Sequence, residues 1–287
     1  MTAALVAVDW GTTNRRVFVL DAAGGVIDRR SDDCGVLAVI DFPAEIAALR
    51  AKAGDVRLLL AGMVGSNRGW VEAPYVAAPA GRAAIAAAAI WPLPGVVIVP
   101  GVVRHGPDPD VMRGEEVQVF GALVLGAGDG LVCHPGTHTK WITIAGAEIA
   151  DFRTVMTGDI MAALTAKSIL SDVLAHPADD DDAFVAGVRT ILDGGDLTAQ
   201  LFGVRARVLT GGLAAASASS RISGLLIGAD VVAGTRRHDG RVTLLGTPAL
   251  CRRFGLALAA SGRTHVTLAG DAAFVAGAHA LAAEIAW

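Results

Sequence analysis

Apolar and polar positions along this chain fall into one pattern that is written twice. The first copy has an apolar run over 4–9 that ends on Asp9, then a Gly-Thr turn, then a basic step at Arg15 and Arg16, then a second apolar run over 16–21. The second copy has an apolar run from Leu131, the turn Gly136-Thr137, the basic Lys140 and a further apolar run to Ile144. Another strand is predicted after each copy, at 25–30 and at 148–152. Short apolar runs bounded by turn residues read as buried sheet strands. The same reading predicts strands at 56–60, 96–99, 242–245 and 266–268. Helices are predicted at 43–53, 114–125, 159–176, 181–193, 196–201, 222–233, 248–260 and from Asp271 onward. Strands alternating with helices indicate an α/β fold. Two stretches read as connections: the turn-rich 102–110, and 210–220 (TGGLAAASASS), taken as a mobile link.

The 287 residues suffice for two ordinary domains. Hydrophobic residues reach 53%, much of it Ala and Gly, with 5% aromatic, which is a globular composition. A formal charge of −4 offers no footprint for nucleic acid. The cysteines, Cys34, Cys133 and Cys251, are far apart. That spacing argues against a disulfide framework or a zinc site and suits a reducing, cytoplasmic setting. No signal peptide is read at the N-terminus, where a strand begins at once. Ala83 to Val103 lacks charge and is long enough to cross a bilayer, but Pro92, Pro94 and Pro100 interrupt it. It reads as an Ala-rich helix, a turn at 91–94 and the strand at 96–99, not as a membrane span.

Several clusters could carry chemistry. Gly11 and Gly136 let backbone approach a phosphate, and Thr12, Thr13, Thr137 and Thr139 offer hydroxyls. Asp9 at a strand end suits Mg²⁺, directly or through water. Neither a Walker A sequence nor a strand-linked G-x-G-x-x-G is present, so paired hairpins would hold the nucleotide. Glu115 and Glu116 open a predicted helix just before the second hairpin, where a carboxylate could serve an attacking hydroxyl or merely favour the helix dipole. Residues 62–75 (GMVGSNRGWVEAPY) form a polar loop after a buried strand, able to hydrogen-bond a polyol. Gly246, between a strand and a helix, could lie beneath adenosine. His134 and His138 read as turn residues with no metal role, and Asp179 to Asp182 as a solvated stretch.

Three strings carry a specific resemblance: Val8 to Asn14 (VDWGTTN), Gly62 to Tyr75, and Val111 to Glu116 (VMRGEE) together with Pro135 to Trp141 (PGTHTKW). Arg221 to Gly228 (RISGLLIG) adds a fourth. The chain resembles the 2-dehydro-3-deoxygalactonokinases, sugar-acid kinases of the actin/hexokinase/heat-shock-chaperone ATPase superfamily. The resemblance implies two ribonuclease-H-like domains, an actin-like ATPase fold, around an ATP cleft. It implies ATP- and Mg²⁺-dependent phosphorylation of 2-dehydro-3-deoxy-D-galactonate at its 6-hydroxyl, in galactonate breakdown. The superfamily places a catalytic Asp where this chain has Glu115-Glu116. Glu115 is the favoured base and Glu116 the alternative.

From these readings the expected domains are 1–110 for phosphate 1 and the sugar acid, 111–270 for phosphate 2 and adenosine, and a terminal helix at 271–287 near the hinge. Asp9 is the expected metal ligand. Gly11, Thr12, Thr13, Gly136, Thr137, Thr139 and Gly246 are the expected nucleotide contacts. Asn14, Arg15, Ser66, Asn67, Arg68, Trp70, Arg113, Thr157 and Asp159 are the expected substrate contacts. Arg15, Arg68, Arg113 and Arg153 all compete for the substrate carboxylate, since Arg offers bidentate geometry. Two rival readings are a kinase for a related acid or polyol, such as 2-dehydro-3-deoxygluconate, and a nucleotide-dependent binding protein without turnover. Partners are small molecules, with a homo-oligomer left open.

Overall fold

The N-terminal apolar run becomes β1 (Leu5–Trp10), buried on both faces. Continuous apolar sequence rather than alternation is what a central strand requires. The computed structural model describes residues 2–287. Antiparallel β2 (Arg15–Leu20) and β3 (Val26–Asp32) follow in a meander. Helix α1 (Phe42–Ala53) starts on Asp41, whose carboxylate accepts from Ala44 N at 3.0 Å. This cap satisfies a backbone donor left open by the first helical turn. Then come β4 (Arg57–Gly62), a 3₁₀ turn at Met63–Gly65, β5 (Tyr75–Ala77), α2 (Arg82–Ala87), β6 (Ile90–Leu93), β7 (Val96–Ile98), β8 (Gly101–Arg104), β9 (Asp110–Met112) and α3 (Glu115–Val124). The main sheet has the order β3-β2-β1-β4-β7-β6, with β1 parallel to β4 and β4 parallel to β7.

The second copy of the pattern gives β10 (Gly130–His134), β11 (Thr139–Ala145) and β12 (Glu148–Val155). Helices α4 (Thr157–Lys167), α5 (Ser171–Leu174), α6 (Asp181–Leu192), α7 (Leu197–Leu209) and α8 (Ala215–Thr235) follow. The chain closes with β13 (Val242–Gly246), α9 (Pro248–Ala260), β14 (His265–Ala269) and α10 (Gly270–Glu284). The sheet order β12-β11-β10-β13-β14, with β10 parallel to β13, repeats the order of the first sheet. The duplicated sequence pattern is therefore a duplicated topology, and the chain is a mixed α/β protein with the actin-like ATPase fold.

Contacts divide the chain into two units. The first takes in residues up to Asp129 with Thr143–Phe152 and Leu268–Trp287; the second takes in Gly130–Ile142 and Arg153–Thr267. Thus α3 and α10 both belong to the first unit. Among the described residues no helix is long and apolar enough to cross a membrane.

Four expectations need correction. The 102–110 joint is partly sheet: β8 pairs with β5 and with β9, and the turn is confined to residues 105–109. Residues 91–94 are not a bare turn, because Trp91 to Leu93 belong to β6 at the sheet edge, where a strand tolerates Pro92. The helix expected over 159–176 breaks at Ser168, whose hydroxyl donates to Leu164 O at 2.6 Å and accepts from Leu170 N at 3.0 Å. Serine's local hydrogen bonds compete with the helical ladder. The supposed mobile link at 210–220 is instead a short turn and the start of α8, which buries Ala218, Ser219 and Ser220. Burial outweighs serine's modest helix propensity there.

Helix pairs in each unit meet through glycine. A Cβ at Gly121 would lie 1.6 Å from Ala273 O, and one at Gly277 would lie 1.8 Å from Val117 O, so α3 and α10 touch backbone to backbone. In the second unit a Cβ at Gly224 of α8 would lie 2.0 Å from Phe184 O of α6. Gly121→Ala is expected to cost roughly 2–3 kcal/mol, at the upper end of core overpacking. A urea unfolding midpoint equal to wild type would show that α3 and α10 can separate freely.

Candidate active site

The first unit gathers most of the candidate residues. β1 delivers Asp9 at its C-terminal end, and strand register sets it opposite Arg16. Asp9 Oδ2 accepts from Arg16 Nη2, while Arg16 Nη1 donates to Asp271 of α10 at 2.6 Å. Asp271 also pairs with Arg29. Asp9, Arg16, Asp271 and Arg29 so form a line of alternating charge. Burial opposes the charge on Arg16, but Asp9 and Asp271 outweigh it and hold its pKa above the ordinary value.

The turn after β1 closes with Gly11 N donating to Asn14 O at 2.9 Å. Behind it, Val36 N donates to Gly11 O at 3.0 Å and Gly35 N to Thr13 O at 3.2 Å. Gly11 and Thr12 are half-buried, and Thr13 and Asn14 are exposed. The Asn14 amide, oriented to satisfy its neighbours, reaches Asp33 Oδ1 at 3.2 Å. Arg15 points the other way. Its guanidinium pairs with Asp32 at 2.8 and 3.1 Å and with Glu45 at 2.8 Å, 5.0 Å above the Trp10 ring. Those partners leave it committed to the protein.

Gly62 ends β4 with φ 90° and Gly114 precedes α3 with φ 106°, both left-handed values that favour glycine. A Cβ on Gly114 would lie 3.1 Å from Gly62 Cα, and one on Gly62 would lie 3.5 Å from Asp9 Oδ1. The start of α3 is thereby set beside the Asp9 carboxylate. Glu115 is half-buried, and its Oε2 accepts from Arg113 N at 3.0 Å. Glu116 is fully buried, and its Oε2 accepts from Gly114 N at 2.7 Å while Oε1 has no partner. Burial first, and then the charge of Glu115, raise the pKa of Glu116 to about 8. The two adjacent carboxyls are thus separated in character, one open and one kept protonated near neutrality.

Arg113 lies between α3 and the 62–75 loop. Its Nη2 donates to Ala73 O at 2.8 Å, and its guanidinium carbon sits 4.3 Å from the centre of the Tyr75 ring. Its Nε and Nη1 are buried without acceptors. Ser66 is spent within the loop, donating to Met63 O at 2.8 Å, and Trp70 stacks on Phe42 with ring centres 5.9 Å apart. Asn67 and Arg68 stand exposed at the tip.

The second unit holds the other cluster. Asp159 N, in the first turn of α4, donates to Thr137 O at 3.0 Å. The Asp159 carboxylate is 3.7 Å from His138 Nε2. Gly136 is half-buried and Thr137 exposed. A Cβ at Gly246 would meet Pro135 at 3.6 Å, so the end of β13 abuts the same turn. Thr139 and Thr157 face inward instead. Thr157 Oγ1 donates to Asp230 Oδ2 at 2.5 Å, and Trp141 Nε1 donates to Asp230 Oδ1 at 2.6 Å. Burial raises the Asp230 pKa to about 6, against the pull of the Thr157 and Trp141 hydrogen bonds. Sequence reasoning missed Asp230. Its only trace was a lone carboxylate in the apolar run from Leu225 to Val232.

The family model of the 2-keto-3-deoxy-galactonokinases matches residues 9–281. The chain belongs to this family. The 2-dehydro-3-deoxygalactonokinase of Escherichia coli K12 is 36% identical over 294 residues, spanning all of both chains. A solved structure of a proposed 2-dehydro-3-deoxygalactonokinase from Sinorhizobium meliloti is 34% identical, with a TM-score of 0.91 over 97% of this chain and 98% of that one. The activator of 2-hydroxyisocaproyl-CoA dehydratase from Clostridium difficile, solved with bound ADPNP, is 10% identical with a TM-score of 0.53, covering 98% and 95% of the two chains. That likeness is one of fold. Family membership makes this chain a kinase that uses ATP.

A carboxyl whose pKa is raised on folding favours the native state below its unfolded pKa and loses that contribution as pH rises through the folded value. For Glu116 the window runs from 4.5 to about 8. Glu116→Gln is therefore expected to flatten the fall in stability between pH 5 and 8.5, read as urea midpoints. Parallel profiles for the two proteins would show that Glu116 is ionised in the native state.

Proposed function

We propose that this kinase transfers the γ-phosphoryl group of ATP to the 6-hydroxyl of 2-dehydro-3-deoxy-D-galactonate, in the cytoplasm, as a step in galactonate catabolism. The observation that carries the reading is the meeting of Asp9, Gly62, Gly114 and Glu115 in one unit of a chain whose full length matches a 2-dehydro-3-deoxygalactonokinase. The substrate oxygen attacks the γ-phosphorus, its proton passes to Glu115, and the bond from the γ-phosphorus to the ADP oxygen breaks. Glu115 is preferred over Glu116 because it is open and Glu116 is enclosed. Asp159 of the second unit is a third carboxylate, half exposed.

The first unit serves phosphate 1 and the sugar acid through Gly11, Thr12, Thr13, Asn14, Asn67 and Arg68. The second serves phosphate 2 and adenosine through Gly136, Thr137 and Gly246. Arg113 is the proposed ligand of the substrate carboxylate, since Nε and Nη1 lack acceptors within the protein. Buried donors left without acceptors are costly, and a bound carboxylate relieves that cost.

Mg²⁺ suits the donors present. Asp9 uses Oδ2 on Arg16, and its other oxygen faces Gly62. Among the described residues no group of three His, Cys, Asp or Glu forms a cage. Mg²⁺ characteristically takes one or two carboxylates and fills its remaining positions with phosphate oxygens and water. Asp9 would hold the ion, which when bound supplies neutralisation of phosphate charge.

Glu115→Gln is expected to lower kcat by roughly two to four decades, the range for a general base, with nucleotide affinity kept. Near-normal turnover would exclude Glu115 and point to Glu116 or Asp159. Arg113→Lys is expected to raise KM for the sugar acid about tenfold or more, the scale of a lost charged hydrogen bond. Both are read as ADP release, with the gluconate-derived epimer, gluconate, glycerol and glucose run in parallel. Turnover with the epimer but not the galactonate-derived acid would reassign the substrate.

A further inference from the structure

Asp230 belongs to none of the motifs given a role above, yet it is one of the most enclosed carboxylates in the chain. It lies on α8 with no exposed surface, and neutral donors occupy both of its oxygens. A carboxyl in such a place is costly unless hydrogen-bonded, and an aliphatic side chain would fill the same volume without that cost. What a carboxylate adds is direction, because each oxygen fixes one donor.

The two donors come from elements that adjoin the Gly136-Thr137 turn. Trp141 lies on β11, just after the turn, and Thr157 heads α4. The residue after Thr157 touches the turn directly: a Cβ at Gly158 would lie 2.7 Å from Thr137 Cα and 2.8 Å from Gly136 O. The next residue, Asp159, donates its N–H to Thr137 O at 3.0 Å. With its proton directed at Asp230, the Thr157 hydroxyl is a fastener and not a donor to a ligand.

We propose that Asp230 is a positioning residue that holds Trp141 and Thr157 in one fixed relation, and so keeps the Gly136-Thr137 turn in its phosphate-receiving shape. This rests on the reading of that turn as a nucleotide contact given above. Asp230 touches neither substrate nor nucleotide and acts only through the turn.

The test is Mg²⁺ with a non-hydrolysable ATP analogue, titrated calorimetrically into the full chain without sugar acid, so that substrate identity plays no part. Asp230→Asn keeps the volume but turns an amide NH₂ toward one of the two donors. It is expected to weaken analogue binding about tenfold or more, the scale seen when groups that orient a ligand-binding residue are removed. In the steady state, KM for ATP rises while KM for the sugar acid holds. Thr157→Val is expected to weaken binding in the same way, and the two substitutions together to cost less than their sum, as for residues in one network. A purely packing role would lower the urea midpoint and leave the affinity of the folded protein at the wild-type value. Folded Asp230→Asn binding the analogue like wild type overturns the proposal while leaving the turn's assignment intact. If that variant does not fold, Thr157→Val and Trp141→Phe decide by the same titration. Wild-type protein that fails to bind the analogue overturns the assignment of the turn, and this proposal with it.

Discussion

The chemistry proposed for the first unit depends on the backbone of Gly62 lying against that of Gly114. A side chain at Gly114 would press on Gly62 Cα, and one at Gly62 on the Trp10 carbonyl of β1. The contact of the two glycines is what sets Glu115, Glu116 and Arg113 next to a strand end that carries Asp9. The surrounding features serve that approach. The left-handed φ values make glycine the favoured residue at both places. Ala73, from the loop that follows, supplies the carbonyl that fixes the plane of Arg113.

Around this contact the structure treats carboxylates in three different ways. Asp9 is paired with Arg16, itself shared with Asp271. Glu116 is enclosed beside Glu115 and carries a raised pKa. Glu115 keeps contact with solvent and has one backbone partner. Environment, not residue type, separates an ion-paired carboxylate, a buried acid and a half-exposed carboxylate within one small region, and the same logic divides paired carboxyls in many enzymes.

Much of this was legible in the sequence because it was written in glycine and in strand pattern. The duplicated strand–turn–strand unit announced the duplicated sheet order, and the glycine-rich string at 62–75 announced an irregular segment after β4. What stayed hidden depended on partners distant in sequence. Nothing at Arg15 shows that Asp32 and Glu45 would occupy it, and nothing at Thr157 shows that a carboxylate 73 residues away would take its proton. The helix at 215–235 outran its expected bounds because tertiary burial, invisible in local propensity, stabilises its Ala- and Ser-rich first turns. Arg15 and Arg113 read alike in the sequence, and only their surroundings separate them: Asp32 and Glu45 fill Arg15, while Arg113 Nε and Nη1 have no acceptor.

The glycine contacts between α3 and α10, and between α6 and α8, have an entropic side. Helices that meet through backbone, Ala and Gly give up almost no rotamer freedom when they pack, since those residues have none to lose. Such a joint gains its rigidity from close dispersion contact at little side-chain entropy cost. The cost falls on evolution instead. Most single-residue changes at these glycines add both volume and freedom that must then be frozen, and none can make the residue smaller. The stiffest parts of this kinase are therefore the parts least able to vary.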